Sequence, residues 1–152
     1  MRIDDEVAEF LTGGVAAIVA TRDDELRPQI ARAWGIHVSA DGTELTLCVE
    51  AAGGSTTRAN LEAKGAVAAT FSLPTTYRTV QIKGEVVALA EPTAEQLAAV
   101  EEHVAAFSRD VEQVGMPADS GRRMIDRRLA AVTFAVRELY DQTPGPNAGA
   151  PL

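Results

Sequence analysis

The sequence has few cysteines, histidines and aromatic residues, and it lacks an excess of positive charge. Its single cysteine, Cys48, lies in an apolar run, which excludes an intramolecular disulfide and a cysteine-rich zinc site. Lys and Arg number 14 against 22 Asp and Glu, which gives a net charge of −8. Nonspecific binding to nucleic acid or to an anionic membrane needs a cationic surface, so this charge argues against both. An anionic ligand would need a local basic pocket.

The two histidines, His37 and His103, have no Cys, Asp or Glu at the spacing of a zinc site or a hydrolytic triad. We therefore predict no metal site. We interpret His37 as a surface residue at a strand end, with a proton donor as the alternative. His103 follows Glu101 and Glu102 in a helical pattern, and we interpret it as a solvent-exposed helix residue.

The chain also lacks a long apolar run. It begins with the acidic stretch MRIDDEVAEF, where a secretory signal would carry positive charge, and no apolar run approaches roughly 18 to 20 residues. We therefore expect a cytoplasmic protein. The 152 residues suit one domain, which we place at residues 1–143, followed by a Pro/Gly-rich tail at 144–152.

Apolar periodicity predicts strands joined mainly by hairpins, with helices at the periphery. The strand-like segments are VAAIVAT, QIARAWGIHV, TELTLCVE, AVAATFSL, YRTVQIKGEVVAL and AAVTFAVRELY. Helical patterns occupy the first 11 residues, a short stretch near residue 58, a long stretch after Thr93 and a short stretch from Asp119 to Arg128. This order lacks the regular strand–helix alternation of a parallel sheet and favours a small antiparallel β-barrel.

The second predicted strand carries a charged residue on an apolar face. Alternation is expected to place Ile30, Trp34, Ile36 and Val38 on one face, which Arg32 interrupts. An arginine at such a position needs an anion.

The stretch EAAGGSTTRANLE, residues 50–62, allows two interpretations. One is an anion site, in which backbone N–H groups at a helix start, hydroxyl groups and Arg58 act as donors. The other is a flexible turn with Ser55, Thr56 or Thr57 as the helix N-cap. The absence of a lysine after the glycines excludes a P-loop.

Two further groups of polar residues allow more than one interpretation. The arginines 122, 123, 127 and 128 are typical of exposed helix charges or of pairs at a dimer rim, with a ligand clamp as the alternative. In TTYRTVQIKG, alternation places Arg78 and Thr79 on opposite faces, so both can meet one ligand only if a second subunit contributes.

The succession RPQIARAWGIHV, DGTELTLCVE, STTRANLEAKGAVAATFSLP and YRTVQIKGEVV resembles the pyridoxamine 5'-phosphate oxidase-like superfamily of FMN-binding split barrels, in an uncharacterised bacterial branch. The resemblance implies a mainly β fold with peripheral helices, a six-stranded antiparallel split β-barrel of Greek-key type. It also implies a homodimer with two flavins held between the subunits.

The same resemblance implies a set of cofactor-binding residues. Arg32 and the helix start Ser55 to Arg58 match positions that contact the flavin phosphate, and Thr79 falls where the oxidases carry a flavin-contacting glutamine. The complete set is Arg32, Trp34, Ser55, Thr56, Thr57, Arg58, Thr79 and Gln81. True oxidases place a basic pair where this chain has Thr56 and Thr57, and they carry a C-terminal arginine-and-histidine segment that this chain lacks. These departures argue against pyridoxamine-phosphate oxidation.

The first functional hypothesis is an FMN-dependent oxidoreductase acting on a small-molecule substrate, with no catalytic side chain assigned because the flavin carries the chemistry. The second is a split-barrel dimer that binds a deazaflavin, haem or another small molecule, or that is noncatalytic. A third is a structural partner-binding domain without a ligand-sized pocket at its interface.

Overall fold

The computed structural model describes residues 1–63 and 65–152, and six strands in it close into an antiparallel barrel. The strands are β1 (Ala16–Arg22), β2 (Pro28–Val38), β3 (Glu44–Glu50), β4 (Ala66–Ser72), β5 (Thr79–Ala90) and β6 (Leu129–Asp141), with a two-residue β7 (Ala150–Pro151). The helices are α1 (Asp5–Leu11), α2 (Thr56–Glu62), α3 (Ala94–Glu112) and α4 (Ser120–Met124). The order β3-β2-β1-β4-β5-β6 becomes a closed ring because β3 also pairs with β6. The predicted mainly β barrel with peripheral helices is confirmed.

Side-chain alternation fills the inside of this barrel. Inward positions of every strand supply buried apolar residues, and the largest fully buried side chains include Phe71 and Phe134. On β1, for example, Ala17, Val19 and Thr21 are buried while Ile18 between them is 43% exposed. The barrel interior is therefore a packed core, and ligands must be sought on its outer surface.

A β-bulge in β2 corrects one expectation from the sequence. The pairing of β2 with β3 shifts between Trp34 and His37, and Gly35 has a φ of +64°. Trp34 consequently packs outside the barrel, whereas Ile36 and Val38 contact the barrel core. The predicted common face of Ile30, Trp34, Ile36 and Val38 is therefore wrong, because the bulge adds a residue that strict alternation does not include.

Helix α3 covers the outside of β2 and β3. It begins with the predicted capping box of Thr93 and Gln96, in which each side chain bonds the other's backbone N–H. Its apolar face packs on a second core outside the barrel, made of Trp34, Cys48, Val100, Val104, Phe107, Val111, Leu129 and Ala131. A Cβ at Gly35 would lie 2.9 Å from a Val100 methyl carbon, so this glycine also permits the close approach of α3.

The chain termini and the short helices complete the molecule. α1 has Asp4 as its N-cap, whose carboxylate accepts the Val7 N–H at 2.8 Å. α4 is shorter than the predicted 119–128 helix, since the backbone is extended at Ile125. In the segment predicted as a tail, Ala150–Pro151 pairs with the end of β6. Among the described helices, none is long and apolar enough to cross a membrane.

Candidate functional site

The outer side of the barrel that α3 does not cover presents outward-facing residues of β1, β4 and β5. Strand register aligns Arg32, Ile18, Thr70, Gln81 and Tyr140 into one row across five strands. We call this row and the outward positions beside it on β1, β4 and β5 the open wall. Many of its other positions on β1 and β4 are alanine. Predicted cofactor residues from two distant parts of the sequence thus lie on one surface.

Arg32 stands at one end of this row. Its side chain is exposed, and no carboxylate lies within salt-bridge distance of it in residues 1–63 and 65–152. It lines a small cavity of about 80 Å³ with Ile18, Trp34, Phe107 and Met124. A guanidinium group without an acidic partner is available for an anion, so the anion contact predicted for Arg32 stays a prediction.

Trp34, the neighbouring member of the predicted set, is mainly a core residue. It is 3% exposed, its indole Nε1–H donates to Glu50 Oε1 at 3.0 Å, and its ring meets Phe107 edge-on at 5.6 Å. The Trp34 indole hydrogen bond is thus satisfied within the protein. Any contact of Trp34 with a ligand would involve only the edge that faces the Arg32 cavity.

The stretch GGSTTR forms the predicted turn and helix start. Ser55 is the N-cap of α2, and its Oγ accepts the Arg58 N–H at 3.2 Å. Thr56 is exposed, whereas Thr57 is buried on the face that α2 turns toward the barrel. The same face is anchored by Asn60, whose amide donates to Thr21 Oγ1 at 3.1 Å. Of the two threonines, only Thr56 is open to solvent.

Arg58 differs from Arg32 because carboxylates already hold it. Its guanidinium contacts Glu91 at 2.9 Å and Glu62 at 3.2 Å, and these bonds, led by the one to Glu91, raise its pKa. Arg58 lines a cleft of about 510 Å³ with Arg127 and Arg128 among others, which is separate from the Arg32 cavity. Within one chain, the two predicted phosphate-binding arginines do not share a cavity.

Thr79 and Gln81 occupy successive outward positions of β5. The Thr79 hydroxyl is 2.7 Å from Ser72 Oγ, and Gln81 Nε2 donates to Thr70 Oγ1 at 3.2 Å. Arg78 precedes the strand and turns away, where it pairs with Glu6 at 2.8 Å. The expected separation of Arg78 from Thr79 is present, and Gln81 lies directly in the open-wall row.

The open wall also contains residues that the predicted set omits. Tyr140 pairs in register with Gln81, its hydroxyl donates to Glu138, and Lys83 Nζ lies 4.8 Å from its ring centroid. The bond to Glu138 raises the pKa of the Tyr140 phenol. The signal in the sequence is the end of the last strand, where Glu138 and Tyr140 alternate with buried Leu139.

His103 is not the solvent-exposed helix residue expected from the sequence. It is 7% exposed, its Nδ1 accepts the Gly35 N–H at 3.1 Å, and its Nε2 lies 2.8 Å from the Val15 carbonyl oxygen. Its spacing from Val100 and Phe107 places it on the apolar face of α3. The charged neighbours at positions 101 and 102 obscured that spacing.

Metal and thiol chemistry find no support in the part of the chain described here. No group of three or more His, Cys, Asp or Glu side chains is arranged to hold a metal ion among those residues. Cys48 is fully buried, and burial raises its thiol pKa to about 11. The Cys48 thiol is therefore a core group and is protonated at neutral pH.

A family model and several solved structures that match this chain support the split-barrel fold. The family model for pyridoxamine 5'-phosphate oxidase matches residues 3–139. Similar solved structures include HupZ of Group A Streptococcus, at 18% identity and a TM-score of 0.57, covering 97% of this chain and 99% of that one. An F420 reductase has 17% identity and a TM-score of 0.59, covering 90% and 98%. A putative pyridoxamine 5'-phosphate oxidase of Lactobacillus delbrueckii has 12% identity and a TM-score of 0.56, covering 91% and 93%. No curated protein matches the sequence.

Proposed function

The chain belongs to the pyridoxamine 5'-phosphate oxidase-like superfamily of split barrels, and we propose that it is an FMN-binding homodimer that acts as an oxidoreductase on a small-molecule substrate. The observation that carries the proposal is Arg32, an exposed guanidinium without an acidic partner in the described residues, at one end of the open wall. A flavin phosphate is an anion of the kind that such a group binds.

The size of the Arg32 cavity supports the homodimer. Sites for cofactors and drug-sized ligands usually measure about 300–1,000 Å³. The Arg32 cavity measures about 80 Å³ in one chain, so a second copy would have to complete it. Ile18 and Ile30 flank Arg32 and are 43% and 65% exposed. A partner subunit seated there would bury this apolar surface, which favours association through the open wall.

The phosphate-binding residues we propose divide into two groups. Arg32 supplies an uncompensated positive charge, while Ser55, Thr56 and Arg58 lie at the start of α2. Arg58 would have to exchange Glu91 or Glu62 for the phosphate, which makes its contribution smaller than that of Arg32. We therefore assign the dominant phosphate contact to Arg32 and supporting contacts to the α2 start, which would have to come from the other subunit because Arg32 and Arg58 share no cavity within one chain.

The ring end of the cofactor would meet the polar part of the open wall. Bound FMN supplies hydride and electron transfer, and the protein contributes orientation and hydrogen bonds. Gln81 and Thr79 would serve this role, since both face outward on β5. Gln81 Nε2 donates to Thr70 Oγ1, and this hydrogen bond orients the Gln81 amide.

A deazaflavin is the second candidate for the cofactor. The observation that favours it is the pair Thr56 and Thr57, uncharged at the helix start where oxidases carry basic residues, with Thr57 also buried. Haem fits less well, because both ring nitrogens of His103 are bonded within the protein and the thiol of Cys48 is buried and protonated. His37, which is exposed, is the remaining histidine that could ligate iron.

Titration of the purified protein with FMN tests the proposal. Arg32→Ala is expected to weaken FMN binding about 10- to 150-fold, because a hydrogen bond to a charged group contributes about 1.5–3 kcal/mol. Arg27→Ala is the matched control: it removes the same charge from an exposed arginine that Asp23 and Glu25 already hold. Absence of FMN binding, with tight binding of a deazaflavin, would transfer the proposal to the second cofactor. Binding that Arg32→Ala leaves unchanged would refute the assigned site.

Sedimentation analysis tests the dimer independently. Ile30→Asp is expected to shift the protein to monomer and to weaken FMN binding, since it places a charge in the proposed interface. Leu97→Asp is the matched control, because Leu97 is 44% exposed on α3, away from the open wall. A dimer that survives Ile30→Asp but not Leu97→Asp would place the interface on the helical side.

A further inference from the structure

A cleft between α3 and α4 concentrates positive charge on an otherwise acidic chain. Three arginines, Arg109, Arg122 and Arg127, line this cleft of about 490 Å³ above a floor that includes Val104 and Ser108. Arg109 comes from α3, Arg122 from α4, and Arg127 from the segment that follows α4. The fold thus brings together arginines from separate elements, which we call the arginine cleft.

Two of these three arginines are uncompensated. Arg127 pairs with Glu101, which also lines the cleft. Arg109 and Arg122 have no carboxylate within salt-bridge distance in the described parts of the chain, 1–63 and 65–152. Adjacent Arg123, by contrast, lies 3.8 Å from Asp119. The uncompensated charge therefore belongs to the cleft and is not shared by every arginine of α4.

We propose that the arginine cleft binds a small dianion, a molecule with two phosphate or carboxylate groups. Guanidinium groups bind both kinds of oxyanion through paired N–H donors, and a dianion would balance Arg109 and Arg122. The cleft volume lies within the range of small-molecule sites. The Ser108 hydroxyl is already used, since it donates to the Val104 carbonyl and accepts the Gly121 N–H. Recognition therefore depends on the arginines.

The arginine cleft is separate from the Arg32 cavity, where we place the dominant phosphate contact. Among the described residues none lines both, and α4 contributes Arg122 to the first and Met124 to the second. Arg127 also lines the Arg58 cleft, whereas Arg109 and Arg122 line neither the Arg32 cavity nor the Arg58 cleft. Binding of a dianion by Arg109 and Arg122 is therefore independent of whether the chain binds a flavin.

Calorimetric titration of the full chain with inorganic pyrophosphate, and separately with the dicarboxylate succinate, tests the proposal at an ionic strength of about 0.15 M. One equivalent is expected to bind, and Arg109→Gln and Arg122→Gln should each weaken binding at least about tenfold through loss of a charge-assisted contact. Arg123→Gln is the matched control, because it removes the same charge one residue away from the cleft. Arg123→Gln should change the affinity less than about twofold, because dissolved salt screens the electrostatic effect of a charge outside the cleft.

The two probes also distinguish the chemistry of the ligand, since a preference for pyrophosphate indicates a phosphate compound and a preference for succinate a dicarboxylate. Three results would overturn the proposal. They are no saturable binding of either probe at millimolar concentration, equal weakening by Arg122→Gln and Arg123→Gln, and binding that only Arg32→Ala removes. The last result would place the anion at the cofactor site.

Discussion

Replacement of His103 by phenylalanine is expected to destabilise the protein and to remove part of its acid sensitivity. The buried imidazole joins α3 to β2 and to the residue before β1, because Nδ1 accepts the Gly35 N–H and Nε2–H donates to the Val15 carbonyl. This arrangement requires the neutral ring with its proton on Nε2. Phenylalanine keeps most of the volume but leaves both backbone groups without partners. At about 1–3 kcal/mol for each buried unsatisfied group, the loss is about 2–6 kcal/mol.

The pH dependence follows from the direction of the pKa shift. Burial lowers the pKa of His103 below its usual value of 6.5, against a smaller opposing effect of the hydrogen bond to Val15. Between the lowered folded pKa and 6.5, the unfolded chain binds the proton that the folded chain excludes. Stability is therefore complete above pH 6.5 and decreases as the pH falls from there through the folded pKa. For one proton the slope is at most about 1.4 kcal/mol per pH unit.

Urea unfolding between pH 5 and 8 measures this effect. Trp34 is the single tryptophan and its ring lies 5.5 Å from that of His103, so its fluorescence reports directly on the region. Glu102 and Arg109 line the same cleft as His103. His37→Gln is the control, since His37 is exposed and is the other histidine. If the free energy of unfolding of the wild type and of His103→Phe changed with pH in parallel, the assigned role of the imidazole would be refuted.

Two further predictions concern the packed interior of the protein, one in the barrel and one in the second core outside it. Gly84→Ala should destabilise the barrel strongly, because the added Cβ would lie 2.1 Å from the Ala135 carbonyl oxygen. Gly53→Ala is the control, since a Cβ there would meet no atom within 4 Å. Equal melting temperatures of the two variants would contradict the steric argument. The Cys48 thiol should resist a thiol reagent in the native protein at pH 8 and react only at the rate of unfolding, since it is buried and burial raises its pKa to about 11. Fast labelling of the native protein would contradict this and would show that the second core outside the barrel opens.

Local patterns were sufficient to predict most strands of the barrel. The DG pair before β3 and the alternation of Leu45, Leu47 and Val49 are signals contained within a few residues, and the hairpin that they predict is present. Closure was harder to predict, because β3 pairs with β6 across more than half of the chain. No local signal specifies such a pairing, and the barrel was expected from strand order and family resemblance instead.

The failures on β2 and α3 have a common physical cause. Gly35 adds a bulge that reverses the facing of the residues on either side of it, and α3 then packs closely against that glycine. The bulge leaves the Gly35 N–H without a partner in the β-ladder, and His103 supplies the acceptor. The buried position of His103 cannot be predicted from the sequence of α3 alone, since the need for an acceptor at Gly35 arises only from the bulge in β2.

The division of the barrel surface explains why the candidate site could be predicted only in part. Inward positions are filled by core side chains, and α3 covers the outside of β2 and β3. The open wall is what remains, and it carries Arg32, Gln81 and Thr79 on strands that the sequence separates by about 50 residues. Alternation predicts which residues face outward, but strand order decides which of them are neighbours. A sequence can therefore nominate Arg32 and Gln81 separately, whereas their shared row depends on β1 and β4 lying between them.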